Sequence, residues 1–290
     1  MQAVLSNGRV VIVGFLLLLN VSAGGLWLIG AKGSAAGTGF LEVYFLDIGQ
    51  GDAIFIITPE GGQILIDGGP NNTVLRQLRT AMPWWDRSID VVVGTHFDKD
   101  HVGGLVDVLS RYRVGEALIT INESGSVVKK TFKNRLVDNG IKTTYVQAGE
   151  RYQLGEAVDL LVFSPTAAAR VADTNTSSIV LQLRYQDTSF LLTGDAPSEI
   201  EDYLVRRFGD QLQSQVLKLG HHGSRTSSSA LFLAAVAPEY AIVSAGRNNS
   251  YGHPHPEVLE RAVAAEIKIL STTEQGTIHL VSDGQTVMVK

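Results

Sequence analysis

Four side chains able to bind a cation fall within six positions at His96-Phe97-Asp98-Lys99-Asp100-His101. Nitrogen and oxygen donors this dense suit one divalent cation, or two sharing a bridge. In an extended loop His96, Asp98 and Asp100 would point the same way, because side chains alternate with a period of two. His101 would then enter a helix. The structural alternative is a polar loop whose carboxylates cap that helix. Six of the seven His residues are clustered, as His96 with His101, His221 with His222, and His253 with His255, and His279 stands alone. The 290 residues include no Cys, which excludes disulfides, thiolate metal sites and Cys nucleophiles; any metal site is built from His, Asp and Glu. A cation held this way lowers the pKa of bound water, so the chemistry expected is attack by hydroxide near neutral pH.

The elements that must hold these groups are legible around them. Asp67 follows Ile64-Leu65-Ile66, the His96 group follows Val91-Val92-Val93, Asp195 follows Phe190-Leu191-Leu192, and His221-His222 follow Val216-Leu217-Lys218-Leu219. Each group lies just past the carboxyl end of an expected buried strand, where ligand sites collect in α/β sheets. Further strands are expected at Leu41–Asp47, Asp52–Thr58, Ala117–Ile121, Lys142–Val146, Leu160–Phe163, Ser178–Arg184 and Tyr240–Ser244, with terminal strands between Ile267 and Val289. Helices are expected at Thr73–Ala81, His101–Arg111, Val127–Asn139, Ser228–Ala235 and Pro256–Ala264. Strands and helices in both halves make the fold class layered α/β (α+β), with two sheets packed together and helices outside. Hydrophobic residues at 44% and charged residues at 18% allow a sizeable core and exclude a disordered chain. A net charge of −5 excludes attachment to nucleic acid by bulk charge, though not a local basic groove.

Residues 1–31 stand apart. Val10 to Ala31 is uncharged and mostly apolar, long enough as a helix to cross a hydrocarbon core of ~30 Å. A cleavable signal peptide ending near Val21-Ser22-Ala23 is the rival reading, but Trp27-Leu28-Ile29 continue the apolar run and favour an uncleaved, single-pass membrane anchor. Either way the remainder is expected outside the cytoplasm, at the cell membrane or secreted after cleavage. Residues 32–39 read as a flexible Gly/Ser/Ala linker, and 40–290 as the folded domain.

The run His96-Phe97-Asp98-Lys99-Asp100-His101 resembles the H-x-H-x-D-H signature of the metallo-β-lactamase-fold hydrolases. Asp67 in Leu65-Ile66-Asp67-Gly68-Gly69 matches their upstream Asp, Asp195 in Leu192-Thr193-Gly194-Asp195 their bridging Asp, and His221-His222 their late His. Phe45 to Asp52, Lys218 to Ser227 and Tyr251 to Pro256 are similar to the extracytoplasmic hydrolase domain of the ComEC family of DNA-uptake competence proteins. The resemblance covers residues 41–290. It implies a four-layer αββα sandwich, preceded here by one N-terminal hydrophobic helix, and metal-dependent cleavage of phosphodiester bonds in DNA. Two departures matter. ComEC proteins carry many membrane spans and this chain has one hydrophobic segment, so transport would need a separate channel protein. Asp98 replaces the second His, and Asn175-Thr176-Ser177-Ser178 stands where the middle family His would be. Oxygen in place of imidazole weakens zinc preference, so the two divalent cations expected are Zn²⁺ or Mn²⁺, with Mg²⁺ admitted.

The resemblance assigns His96, Asp98 and Asp195 to one metal, and Asp100, His101, Asp195 and either His221 or His222 to the second. Asp195 bridges the pair, and Asp100 also orients the nucleophile. Asp67 is expected to orient a ligand His through its other ring nitrogen, or else to be a turn residue before Gly68-Gly69. Asp47 and Asp52 read as structural. Asn175, Ser178 and Ser224 are expected to bond phosphate oxygens, with Lys218 and Arg225 adding charge. His253, stiffened by Pro254 and Pro256, would protonate a leaving alkoxide; His255 would meet substrate or form the turn before a helix. The basic run Lys129–Arg135 reads as a solvated helix face. Two rival functions remain open: hydrolysis of a cell-envelope phosphoester or a lactone, and a catalytically silent module that binds DNA or a channel.

Overall fold

Alternate residues of the apolar strands enter different cores, and that alternation sets the architecture of the computed structural model, which describes residues 26–29, 37–123 and 125–290. The elements run β1 (Leu26–Ile29), β2 (Leu41–Phe45), β3 (Ile54–Ile57), β4 (Gln63–Ile66), α1 (Thr73–Ala81), β5 (Ser88–Gly94), α2 (Lys99–Leu109), β6 (Arg113–Ile119), α3 (Val127–Asp138) and β7 (Lys142–Tyr145). They continue with β8 (Arg151–Leu154), β9 (Val158–Ser164), β10 (Val180–Tyr185), β11 (Thr188–Leu192), α4 (Ser198–Phe208), β12 (Val216–Lys218), α5 (Ala230–Val236), β13 (Tyr240–Val243), α6 (Pro256–Ala264), β14 (Lys268–Ser271), α7 (Thr272–Gln275), β15 (Ile278–Ser282) and β16 (Val287–Val289). One sheet has the order β16-β15-β2-β3-β4-β5-β6-β7 and the other β1-β8-β9-β10-β11-β12-β13-β14.

Val43, Phe45, Ile54, Ile56, Ile64, Ile66, Val91 and Val93 of the first sheet share a core with Leu181, Leu183, Phe190, Leu192, Val216 and Ile242 of the second. Their chain neighbours Phe55, Leu65 and Val92 face outward, onto Leu78 of α1, Leu105 and Val108 of α2, and Phe132 of α3. On the far side Leu191, Leu217, Ala241 and Val243 meet Leu204 of α4, Phe232 and Leu233 of α5, and Val258 of α6. The result is helix, sheet, sheet, helix, the αββα sandwich the sequence implies. Each fully buried side chain of this size contributes about 1.5–3 kcal/mol. A charge at Val92, which is wholly buried, would therefore break the outer interface with α2.

The expected helices at Thr73–Ala81 and Pro256–Ala264 coincide with α1 and α6. Helix α4 was not anticipated, although Pro197 precedes it, Glu199 and Glu201 lie in its first turn and Arg206 and Arg207 in its last, a charge order that favours a helix dipole. The N-terminal helix is corrected where it is described: Leu26–Ile29 forms β1 and pairs in parallel with β8, from Leu26↔Arg151 to Ile29↔Leu154. An apolar tetrapeptide here completes a sheet edge instead of a helical turn. Residues 10–25, 30 and 31 of the expected anchor, and 32–36 of the expected linker, lie outside the described residues. Among the described residues no helix is long and apolar enough to cross a membrane.

Candidate metal centre

The carboxyl ends of β4, β5, β11, β12 and β13 open on one rim. After β4 comes Asp67, after β5 Thr95 and His96, after β11 Asp195, and after β12 His221 and His222. Helix α2 begins at Lys99, so Asp100 and His101 sit in its first turn rather than in an extended loop. Asp98 occupies the N-cap position, yet its side chain makes no capping bond. The capping alternative therefore leaves its carboxylate unexplained. Two close backbone approaches bring the loops together. A Cβ at Gly104 would lie 1.9 Å from the Gly68 carbonyl oxygen, and one at Gly51 would lie 2.0 Å from that of Asp100. Asp67, His221 and His222 have φ of 57°, 49° and 57°. Left-handed backbone is uncommon outside Gly and gathers at functional sites.

Hydrogen bonds at the back of three imidazoles turn the same ring nitrogen of each inward. His101 Nδ1 donates to Asp67 Oδ2 at 2.7 Å, and the Thr95 hydroxyl donates to the same oxygen at 2.6 Å. With its proton committed there, Thr95 Oγ1 accepts from His96 Nδ1 at 3.1 Å. His222 Nδ1 donates to the Ser244 carbonyl at 3.0 Å. All three present Nε2 to the interior of the rim, and all three Nε2 atoms are buried without a hydrogen bond, as is Asp195 Oδ1. Asp195 is central: its oxygens lie 3.3 Å from His101 Nε2, 3.4 Å from His222 Nε2, 3.8 Å from His221 Nε2 and 3.9 Å from His96 Nε2. Asp100 is 3.4 Å from His222 Nε2, and Asp98 is 3.8 Å from His96 Nε2. A buried polar atom left without a partner costs about 1–3 kcal/mol, so convergent orphans mark a place for cations.

The tightest buried grouping is Asp52, His101, Asp195 and His222, with ligand atoms within 4.8 Å of one another. Asp52, expected to be structural, lies within this cluster. It is matched by Lys218, whose Nζ lies 2.5 Å from Asp52 Oδ2, 3.7 Å from Asp195 Oδ1 and donates to the Gly194 carbonyl at 3.0 Å. Its other oxygen is 3.4 Å from His222 Nδ1. The motif Gly49-Gln50-Gly51-Asp52 after a strand was the available signal.

Burial opposes charge on Asp195, but His101 and His222 hold it well below the usual carboxylate range. Burial would likewise lower His101, but Asp195 and Asp67 hold it well above its ordinary value, and Asp195 and Asp100 raise His222 to about 10. Burial and the charge of His101 push His96 down to about 3. With no cation bound, the carboxylates are thus balanced by Lys218 and two imidazolium protons, which cations would displace.

The remaining expected residues divide. His221 is half-buried at the rim, its ring centroid 5.4 Å from that of His253. His253, the expected proton donor, stands at the opening above the cluster, and burial and the neighbouring His221 lower it to about 4. His255 Nδ1 accepts the Arg225 backbone N–H at 3.1 Å and serves the loop. Asn175 has a buried Oδ1 without a partner. Two expected substrate contacts are corrected: Lys218 and Ser178 are both fully buried, Lys218 behind the cluster and Ser178 accepting the Asp195 backbone N–H at 3.3 Å. Ser224 is buried too, its hydroxyl 3.0 Å from that of Thr226. The opening above the cluster has a volume of about 140 Å³, with Gln50, Tyr251 and His253 facing Asp98, Asp100 and Asp195.

A family model described as the metallo-beta-lactamase superfamily matches residues 46–247. The ComE operon protein 3 of Bacillus subtilis is 30% identical over 260 residues, covering 82% of this chain and 32% of that protein. Competence protein ComA of Neisseria gonorrhoeae is 32% identical over 237 residues, covering 80% of this chain and 31% of that one. The chain spans about a third of the length of these relatives. A metallo hydrolase from the hyperthermophilic archaeon Ignicoccus hospitalis shares the fold, with a TM-score of 0.55 at 15% identity, covering 82% of this chain and 98% of that one.

Proposed function

Since the chain belongs to the metallo-beta-lactamase superfamily, we propose that it is a hydrolase of phosphodiester bonds in DNA that works with a pair of divalent cations. The observation that carries the metal reading is the convergence of three orphaned Nε2 atoms and Asp195 Oδ1 on one buried point. His96, Asp98 and Asp195 would hold one cation, and Asp100, His101, Asp195 and His222 the other. Such cations supply charge that activates water and steadies a developing oxyanion. The protein's own residues fix the geometry: Asp67 orients His101 directly and His96 through Thr95, Ser244 and Asp52 orient His222, and Lys218 neutralises Asp52.

Two features favour an extended phosphodiester over a lactone. The opening of about 140 Å³ is below the roughly 300–1,000 Å³ of pockets that engulf a small molecule, and suits one link of a polymer laid across the rim. The Neisseria gonorrhoeae relative named a competence protein, with the resemblance to DNA-uptake proteins, favours DNA as that polymer. The same reading sets residues 40–290 outside the cytoplasm, anchored or released through the apolar run that precedes β1, beside a separate channel protein; protease accessibility in intact cells tests it. Activity is tested on the full chain with Mn²⁺ or Zn²⁺, against oligonucleotides, bis(p-nitrophenyl) phosphate and a lactone panel. DNA cleavage lost in Asp100→Ala is the expected result, and turnover of lactones alone overturns it. DNA binding unchanged in Asp100→Ala with no cleavage under any metal would instead favour a silent binding module.

A further inference from the structure

Away from the metal centre, four arginines line one cleft on the outer helical layer. Arg76 and Arg79 come from α1, Arg87 from the turn before β5, and Arg111 from just past α2; the cleft has a volume of about 610 Å³ and no carboxylate in its walls. Arg151, Arg170 and Arg225 elsewhere are ion-paired, whereas these four make no ion pair among the described residues. In a chain of net charge −5, unpaired positive charge collected in a concavity points to an anionic ligand. The guanidinium of Arg87 lies 5.5 Å from the Tyr112 ring centroid and makes only long contacts, 3.4 Å to the Asp86 carbonyl and 3.5 Å to the Tyr112 hydroxyl. Most of its five donors stay available.

A second, independent feature sits in the turn joining α1 to Arg87. Trp84 and Trp85 are 73% and 67% exposed, with ring centroids 5.6 Å apart and planes at 87°. Two indoles left this open are surfaces that await a partner. A basic groove beside exposed aromatic faces is the combination that holds single-stranded nucleic acid, phosphates on the cations and bases on the rings. A duplex hides its base faces and cannot use the indoles. A bilayer also supplies phosphates and accepts Trp, but it is planar, whereas the arginines here line recessed walls.

We propose that this cleft, with Trp84 and Trp85, is a binding track for single-stranded nucleic acid separate from the metal centre. It rests on the phosphodiester reading only for its purpose, which is to hold a strand whose scissile link lies at the rim. Helix α2 connects the two places: His101 is in its first turn and Arg111 lies two residues past its end, roughly 15 Å along the axis. A polymer spans that distance and a lone phosphate does not.

The test uses the full chain in EDTA, so that binding is read without cleavage. Fluorescein-labelled oligothymidylate is titrated by anisotropy and by quenching of tryptophan fluorescence. Arg76→Gln/Arg79→Gln/Arg111→Gln should weaken binding at least about tenfold and flatten the dependence of log Kd on log salt. Trp84→Ala/Trp85→Ala should remove most of the quench, while both variants keep the melting temperature and the metal content of the parent. A matched duplex should bind more weakly than the single strand. Equal binding by parent and variants overturns the track, and binding to phosphatidylglycerol vesicles without binding to oligothymidylate replaces it with a membrane surface. Binding as expected with no phosphodiester hydrolysis under any metal removes the proposed activity and leaves the track standing.

Discussion

Lys218 Nζ lies 2.5 Å from Asp52 Oδ2, with Lys218 wholly buried and Asp52 1% exposed. Asp195 Oδ1 is 3.7 Å from the same ammonium, so one lysine compensates two buried carboxylates. Removing one partner of a buried pair leaves a charge with neither water nor counter-ion, at a cost of about 3–5 kcal/mol. Lys218→Met should lower the unfolding free energy by that order in EDTA, read from urea denaturation. The double variant Asp52→Asn/Lys218→Met should recover much of the loss, and a Lys218→Met protein as stable as the parent would show that the pair carries no such role.

Asp67 governs two imidazoles at once, His101 directly and His96 through the Thr95 hydroxyl. Asp67→Asn keeps the shape but turns an NH2 towards a group that now donates to it, either the Thr95 backbone N–H on Oδ1 or the Thr95 hydroxyl and His101 on Oδ2. Losing the partner that orients a metal-binding His typically costs 10–100-fold in metal affinity. Mn²⁺ and Zn²⁺ competition titrations should show a loss in that range, with the fold intact by circular dichroism. Unchanged affinity would mean that the imidazoles are held by packing alone.

What was readable from sequence follows the range of each interaction. Asp67, His96, Asp195 and His222 could be placed on one rim because each follows its own strand within a few residues, and a strand's end is a local signal. The bounds of α1 and α6 are local in the same way, set by helical periodicity and, for α6, by Pro256 at its start. Asp52 shows the limit: nothing around it announces a buried ion pair, because Lys218 lies far along the chain and only the sandwich brings the two together. Lys218 and Ser178 were misassigned to substrate for that reason, since residue type cannot tell which side of a cluster a side chain faces.

The metal-free protein should lose stability as pH rises. His222 is held at about 10 by Asp195 and Asp100 against the burial that opposes it, above its unfolded value of about 6.5. Protonated in the folded state, it contributes stability that is complete below about 6.5 and disappears as pH climbs through about 10. Asp195, depressed by His101 and His222, has the opposite sign and is lost only in acid, below the ordinary carboxylate range. Melting curves in EDTA should therefore fall between pH 6.5 and 10, and saturating Mn²⁺ should flatten that fall by taking the place of the protons. A flat metal-free profile across this window would contradict the proton balance.

His222 and His221 are adjacent in sequence but not equivalent in place. His222 is buried, with Nε2 3.4 Å from both Asp100 and Asp195, whereas the His221 side chain is 28% exposed and 3.8 Å from Asp195 alone. His222→Ala should cost about one equivalent of bound metal by elemental analysis, and His221→Ala should cost less. The reverse order would exchange their assignments.

Gly104 tests whether the rim depends on how closely α2 approaches the loop after β4. A Cβ there would lie 1.9 Å from the Gly68 oxygen and 2.5 Å from the Asn71 oxygen, both backbone atoms that no rotamer change can move. Gly104→Ala must therefore push α2 away from Gly68, and with it His101 from Asp67, whose 2.7 Å bond spans the same gap. Overpacking of this kind costs about 1–3 kcal/mol, and rigid backbone on both sides puts this case at the upper end. Gly125, with no atom of the described residues within 4 Å of its Cβ position, is the control, and Gly125→Ala should leave the melting temperature and metal affinity unchanged. The Gly104 variant should lose both together, because the contact that packs the helix also sets the distance between His101 and the carboxylate that orients it. A Gly104→Ala protein that melts lower but binds metal as the parent does would separate the packing of α2 from the assembly of the site.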